Sequence, residues 1–253
     1  MPRGATNLAE LAGSGLLSGV SAQQRTIAML PAFEKLLPQA VMQRGSVVEC
    51  AGSAAVSLAL ALAAGPSLAG AWVGVAGLPQ VGVAAAVELG VAPERLVMVA
   101  EPAQRFDDGQ WADVLAAMID GFDVLLLGPG AHAVKAVTAR RLVARLQSRG
   151  AVLLSVVSSV VSSVVSSSDG ASGAFGADLR FEATDAVWQG LGDGHGVARG
   201  RRANVQLSGR RVPRPRRSEM WLPTADGAVE AVVSIAVPVV TDTAPTPALR
   251  RTG

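Results

Sequence analysis

Apolar and polar positions change rhythm several times along the chain. Near the start, Asn7 and Glu10 stand at capping-box spacing, which predicts that a helix begins there with Leu8, Leu11, Leu16 and Leu17 as its apolar material. A second helix is predicted over 22–37, where Ile27, Leu30, Phe33 and Leu37 recur at helical spacing and Pro38 is placed to end it. From Ser46 onward, short apolar runs alternate with helix-favouring segments. Strands are predicted over 46–51, 71–76, 95–99, 123–127 and 151–155, with helices over 54–64, 82–89, 108–119 and 133–147 between them. Strands that are apolar on both faces need cover on both faces. The pattern therefore predicts an α/β fold with a mostly parallel sheet between helices.

The alternation stops at Ser155. Residues 155–168 are nearly pure Ser and Val in a repeat without charge, which fits either a mobile loop or a strand extension of poorly specified register. Four further strands, expected antiparallel, are predicted over 177–183, 186–191, 203–207 and 219–222, with turns at Gly192-Asp193-Gly194 and Ser208-Gly209. The Pro/Thr-rich stretch from Pro238 is expected to be disordered. The organisation read from this is a helical arm over 1–38, an α/β core over 39–237, and a tail over 238–253. Within the core, 155–176 reads as a Ser/Val-rich and Gly-rich loop, and 199–217 as an Arg-rich loop.

Composition sharpens the picture. Half of the 253 residues are apolar and 17% are charged, enough for a core and too little charge for an unfolded chain. The 38 residues between Glu49 and Glu88 carry no charge. They are rich in Ala and Gly and are interrupted by Gly65-Pro66 and Gly77-Leu78-Pro79, so they read as buried strand and helix rather than a membrane span. No apolar core follows the basic start, so export is not expected and a cytoplasmic location is. Cys50 is the single cysteine, which excludes an intramolecular disulfide and a Cys-based zinc site.

Candidate chemistry is sparse. A strand, a turn with glycine and a helix form the place where nucleotide-binding proteins hold phosphate, and here that segment offers Gly52, Ser53 and Ser57. A working phosphate loop also needs a second glycine and a lysine, and both are missing. No nucleotide cofactor is expected. His132 and His195 lack metal-site spacing, so no metal is expected either, and Asp107 with Asp108 reads as a helix cap. The strongest electrostatic feature is Arg199, Arg201, Arg202, Arg210, Arg211, Arg214, Arg216 and Arg217, interleaved with Pro213 and Pro215. An extended basic loop of this kind can neutralise nucleic-acid phosphates without sequence preference, dock an acidic partner, or simply be solvated. Leu30, Phe33 and Leu37 on one face of the arm are expected to dock on another copy or on a partner, the alternative being an arm that packs on the chain's own core.

The order of these elements resembles the RecA recombinase core. The arm, the βα unit at the phosphate-loop position, the stretch over 89–102, and the late strands around Gly176–Phe181 and Arg202–Arg211 carry the likeness. Within the RecA-like group the chain is most similar to the ImuA-prime accessory proteins of the actinobacterial inducible mutagenesis cassette. Leu17-Ser18-Gly19-Val20, the stretch over 71–79 and the run over 84–90 carry that finer likeness. The resemblance implies a role in damage-induced translesion synthesis. It further implies, as partners, a catalytically inactive Y-family polymerase homologue of the ImuB type and an error-prone C-family DNA polymerase.

Departures from RecA are informative. Gly77-Leu78-Pro79 stands where RecA proteins carry a catalytic Glu, Gly128-Pro129 where a magnesium-binding Asp ends a strand, and no γ-phosphate-sensing Gln follows in 151–155. Phosphoryl transfer depends on such positioning, so the chain is not expected to be an enzyme. Two other readings remain: a RecA-like nucleotide-dependent DNA-binding protein, and an inhibitor of cell division like the distantly similar SulA.

Overall fold

The computed structural model describes residues 25–101, 106–129, 134–157, 174–192 and 195–232. The helix predicted from Asn7, most of the Ser/Val repeat and the tail lie outside the described residues.

The helix predicted over 22–37 is not formed in its described part. Strand β1 (Thr26–Ala28) pairs antiparallel with β2 (Val41–Gln43), and only a single 3-10 turn, Pro31–Phe33, lies between them before the turn at Pro38–Ala40. Pro31 is the reason. It holds Leu30 extended at ψ 145° and cannot donate into a preceding helical turn.

The alternating pattern is realised from Val47 on. It runs β3 (Val47–Gly52), α1 (Ala55–Leu68), β4 (Val73–Ala76), α2 (Val83–Glu88), β5 (Leu96–Val99), α3 (Asp108–Gly121), β6 (Val124–Leu127), α4 (Ala136–Arg149) and β7 (Val152–Val156). Then follow β8 (Leu179–Trp188), the small hairpin β9 (Leu191–Gly192) and β10 (His195–Gly196), β11 (Arg201–Ser208), β12 (Arg216–Trp221) and β13 (Glu230–Ala231). One sheet takes nine of these strands in the order β13-β12-β11-β8-β3-β7-β6-β4-β5. Strands β8 through β5 in that order are parallel, and β11, β12 and β13 are antiparallel. Two expectations are corrected here. Residues 179–188 are one strand instead of the start of two, and that strand runs parallel to β3.

Side chains alternate between two layers, as strand geometry requires. Val48, Cys50, Val124, Leu126, Val152 and Leu154 face α1, α2 and the arm. Leu125, Leu127 and Leu153 face Trp111, Leu115 and Met118 of α3 and Leu142 and Leu146 of α4. Asp107 caps α3 in a complete capping box with Gln110, as its position before an apolar run suggests.

Helix α1 explains the uncharged interval. Its residues are buried almost all round because the sheet lies on one side and the arm on the other. A Cβ on Gly65 would stand 2.6 Å from the backbone of Met29 and Leu30, so the arm crosses the helix in backbone contact. Phe33 and Leu37 are consequently core residues and Leu30 packs against the same core. The expectation that these three form a docking face for a partner or a second copy is corrected: their apolar surface is already used within the chain.

Glu49 is a buried carboxylate in the middle of the sheet, paired with Arg180 on the neighbouring β8. Burial pushes its carboxyl above the usual range, Arg180 opposes this, and the nearby Glu182 adds to it. With the folded-state value raised, the folded protein takes up a proton that the unfolded chain does not. Stability therefore rises as pH falls through that value towards the ordinary carboxylate range, and is lost in the opposite direction. Urea unfolding followed from neutral pH down to about pH 5 should show this gain, the floor being set by the ordinary Glu value. Glu49→Gln should flatten it. Parallel profiles for the two proteins would contradict the assignment.

Candidate functional site

In open α/β sheets, ligands sit beyond the carboxyl ends of strands where the strand order reverses. Here β3 is that strand, flanked by β7 and β8, and beyond its end lies a crevice of about 210 Å³. Gly52, Ser53, Ser57, Gln80, Pro129 and Arg201 are among its lining residues. Neither lysine nor carboxylate lines it among the described residues.

The first donors of the loop are already engaged by the neighbouring strand. Ser53 donates its backbone N–H to the carbonyl of Ala183 on β8 at 3.0 Å, and its hydroxyl donates to the same oxygen at 3.4 Å. Gly52 holds φ at +93°, and a Cβ there would lie 2.1 Å from that carbonyl oxygen. The glycine is required by a tight strand-to-helix turn that runs in backbone contact with β8. At the end of β6 the geometry is as restrictive. A Cβ on Gly128 would stand 1.8 Å from the carbonyl oxygen of Gly77, so the position cannot carry a magnesium-binding carboxylate on this backbone.

Arg201 enters the crevice from the far hairpin. Its Nε donates to the Leu222 carbonyl at 3.1 Å and its guanidinium lies 5.0 Å from the Trp188 ring centre. Burial weakens its hold on its proton, and its Nη2 is buried without a hydrogen-bond partner. In the sequence Arg201 is one member of a basic run, and nothing local in the chain links it to Ser53.

The eight arginines are not the extended loop expected from their spacing. They are distributed over the β11–β12 hairpin, whose alternation sends neighbours to opposite faces. At one end, Arg202 pairs with Glu219 at 2.8 Å and lies over Trp221, while Arg199 is exposed. At the other end, Arg210 and Arg211 approach Asp178 and Arg214 is exposed. Arg216 donates to the Leu36 carbonyl of the arm and Arg217 to Gln206. The hairpin interlocks with the core instead of projecting from it. Trp221 is half-buried under Arg202.

Other candidates stay apart. His195 lies in the β9–β10 hairpin and His132 outside the described residues. No group of three or more His, Cys, Asp or Glu residues able to hold a metal occurs among the described residues. Cys50 is fully buried, which pushes its thiol up, out of reach of ordinary reactivity. No helix among the described residues is long and apolar enough to cross a membrane.

A family described as the MT3502 N-terminal domain matches residues 35–161, half of the chain. The chain belongs to that family. The matched MT3502 N-terminal region runs from the arm through β7, and so includes the crevice-forming loop but not the arginine hairpin. Rv3395c of Mycobacterium tuberculosis, described as an uncharacterized protein, is 36% identical over 102 residues. That match covers 40% of this chain and 48% of the mycobacterial protein, so it spans about half of the relative's length.

Proposed function

We propose that this member of the MT3502 N-terminal domain family is a non-catalytic, RecA-like accessory protein of damage-induced translesion synthesis and mutagenesis. It acts by assembling with polymerase-like partners, of which an inactive Y-family polymerase homologue and an error-prone C-family DNA polymerase are those the resemblance implies. One observation carries the non-catalytic part. The loop at the phosphate position has its Ser53 N–H and hydroxyl engaged by the Ala183 carbonyl, in a crevice that offers no lysine and no carboxylate among the described residues. The RecA-like part is supported by a βα unit leaving the central strand, a parallel sheet and an antiparallel hairpin that closes it. A mycobacterial relative fits the actinobacterial setting.

Phosphate release in the presence of single-stranded DNA should not exceed a buffer blank. From one lysate, the protein should co-purify with a tagged Y-family homologue or C-family polymerase from the same cassette. Turnover that disappears in Gln80→Ala, or elution free of both polymerases, would overturn the reading.

A further inference from the structure

The ends of the strands opposite the crevice gather residues that are far apart in sequence. Trp72, Arg95, Asp123 and Arg44 directly precede, or stand just before, β4, β5, β6 and β3. Arg149 closes α4 just before β7, and the Arg210–Arg214 turn joins the ends of β11 and β12 beside the start of β8. Direct contacts join them into one rim. The Arg95 guanidinium lies 5.2 Å from the Trp72 ring centre, and the Trp72 N–H donates to Asp123 at 3.1 Å. Arg44 donates to the other oxygen of Asp123 and to the Gly150 carbonyl, both at 3.2 Å, while its own N–H donates to the Arg25 carbonyl at 2.7 Å. Arg211 donates to Gln43, the residue before Arg44, and also approaches Asp178 together with Arg210.

We propose that this rim is a binding track for single-stranded nucleic acid. Three properties of the rim carry this. Arginines outnumber the acids beside them: Asp123 and Asp178, Asp120 shared between Arg145 and Arg149, and Glu94 next to Arg95 in the chain. Arg25, Arg149, Arg210, Arg211 and Arg214 are exposed, spread along the rim and able to meet successive phosphates. Trp72, 41% exposed with a guanidinium over one face, offers the flat aromatic surface on which an unpaired base stacks. An acidic protein is the poorer fit. The large exposed apolar side chains that a protein interface needs at its centre are scattered, with Val83 and Val87 on α2, Val97 and Met98 along β5, Val137 on α4, and Val187, Trp188, Leu191 and Val197 at the far end of β8 and beyond, so that only Leu68, at the end of α1, stands beside Trp72 near the rim.

This inference is independent of the accessory-protein reading, since DNA binding and polymerase association are scored separately. The test uses the full chain, a fluorescent oligothymidylate, a duplex of equal length and polyglutamate, titrated across a salt series. Binding should favour the single strand, and log affinity should fall with log salt by about 0.7 per phosphate contacted. Arg210→Glu/Arg211→Glu/Arg214→Glu and, on the far side, Arg25→Glu/Arg149→Glu should each weaken it about tenfold or more and flatten the salt slope. Trp72→Ala should cost about tenfold for the single strand and little for the duplex. Arg149→Lys, which keeps the charge, should retain affinity. Circular dichroism and thermal melts confirm that each variant is folded. Failure to bind the oligonucleotide at low salt would overturn the proposal. So would loss confined to the hairpin variant, duplex bound as well as single strand, or polyglutamate bound as tightly as DNA.

Discussion

Phe33→Ala is expected to destabilise the protein by about 3–5 kcal/mol, the cost of emptying a fully buried aromatic site. Phe33 is 0% exposed and meets Phe181 of β8 edge-on, with ring centres 6.3 Å apart. It therefore ties the arm to a strand near the centre of the sheet across the edge of α1. In a chain of this length the loss corresponds to a fall in melting temperature of about 10 °C. A chain beginning at residue 38 should fare worse, because α1, which has no charged residue and only Ser57 and Ser67 as polar side chains, would present apolar surface to water once Ile27, Met29, Phe33, Leu36 and Leu37 are gone. It should show no cooperative melt. A truncated protein that melts cooperatively near the intact chain would show that the arm is an accessory and not core.

Gly52→Val should be comparably severe, at more than about 3 kcal/mol, because a left-handed backbone position and a backbone collision coincide there. The added Cβ would stand 2.1 Å from the Ala183 carbonyl oxygen, so β3 and β8 would have to part where Ser53 N–H holds them together. Urea denaturation measures the effect. Crucially, the loss should be one of stability alone: adding ATP and magnesium should protect neither the wild type nor the variant against unfolding. A wild-type melting point that climbs with ATP would return the loop to phosphate binding.

The alternation of strands and helices from Val47 to Val156 was readable because each strand is a short apolar run bounded by Gly, Pro or charge, and each strand predicted there forms within a few residues of its expected limits. The arm breaks its own periodic pattern. Ile27, Leu30, Phe33 and Leu37 do have helical spacing, but Pro31 in their midst imposes extended backbone on Leu30, and one local rule overrode the periodicity. The direction of β8 was not legible either. A strand that returns to the centre of the sheet across about twenty residues leaves no periodic mark of its partner. At the candidate site, the missing lysine and acids were plain in the sequence, whereas the capture of Ser53 by Ala183 is a contact between segments 130 residues apart. The arginine hairpin was visible as charge and invisible as geometry, since pairing across β11 and β12 decides which arginine faces what.

The place of β3 between β7 and β8 also sets an order of events during synthesis. The arm leaves the ribosome first and α1 soon after, so one face of the apolar helix can be covered early. Its other face must wait for the strands on which it rests, and β3 cannot be closed on both sides until β8 has been made, more than a hundred residues later. Nearly forty uncharged residues thus remain without their final cover while most of the domain is still to be translated. Slowing elongation downstream of α1, or removing holdase chaperones, should therefore lower the soluble yield of this chain more than that of an α/β protein whose strands pair in sequence order.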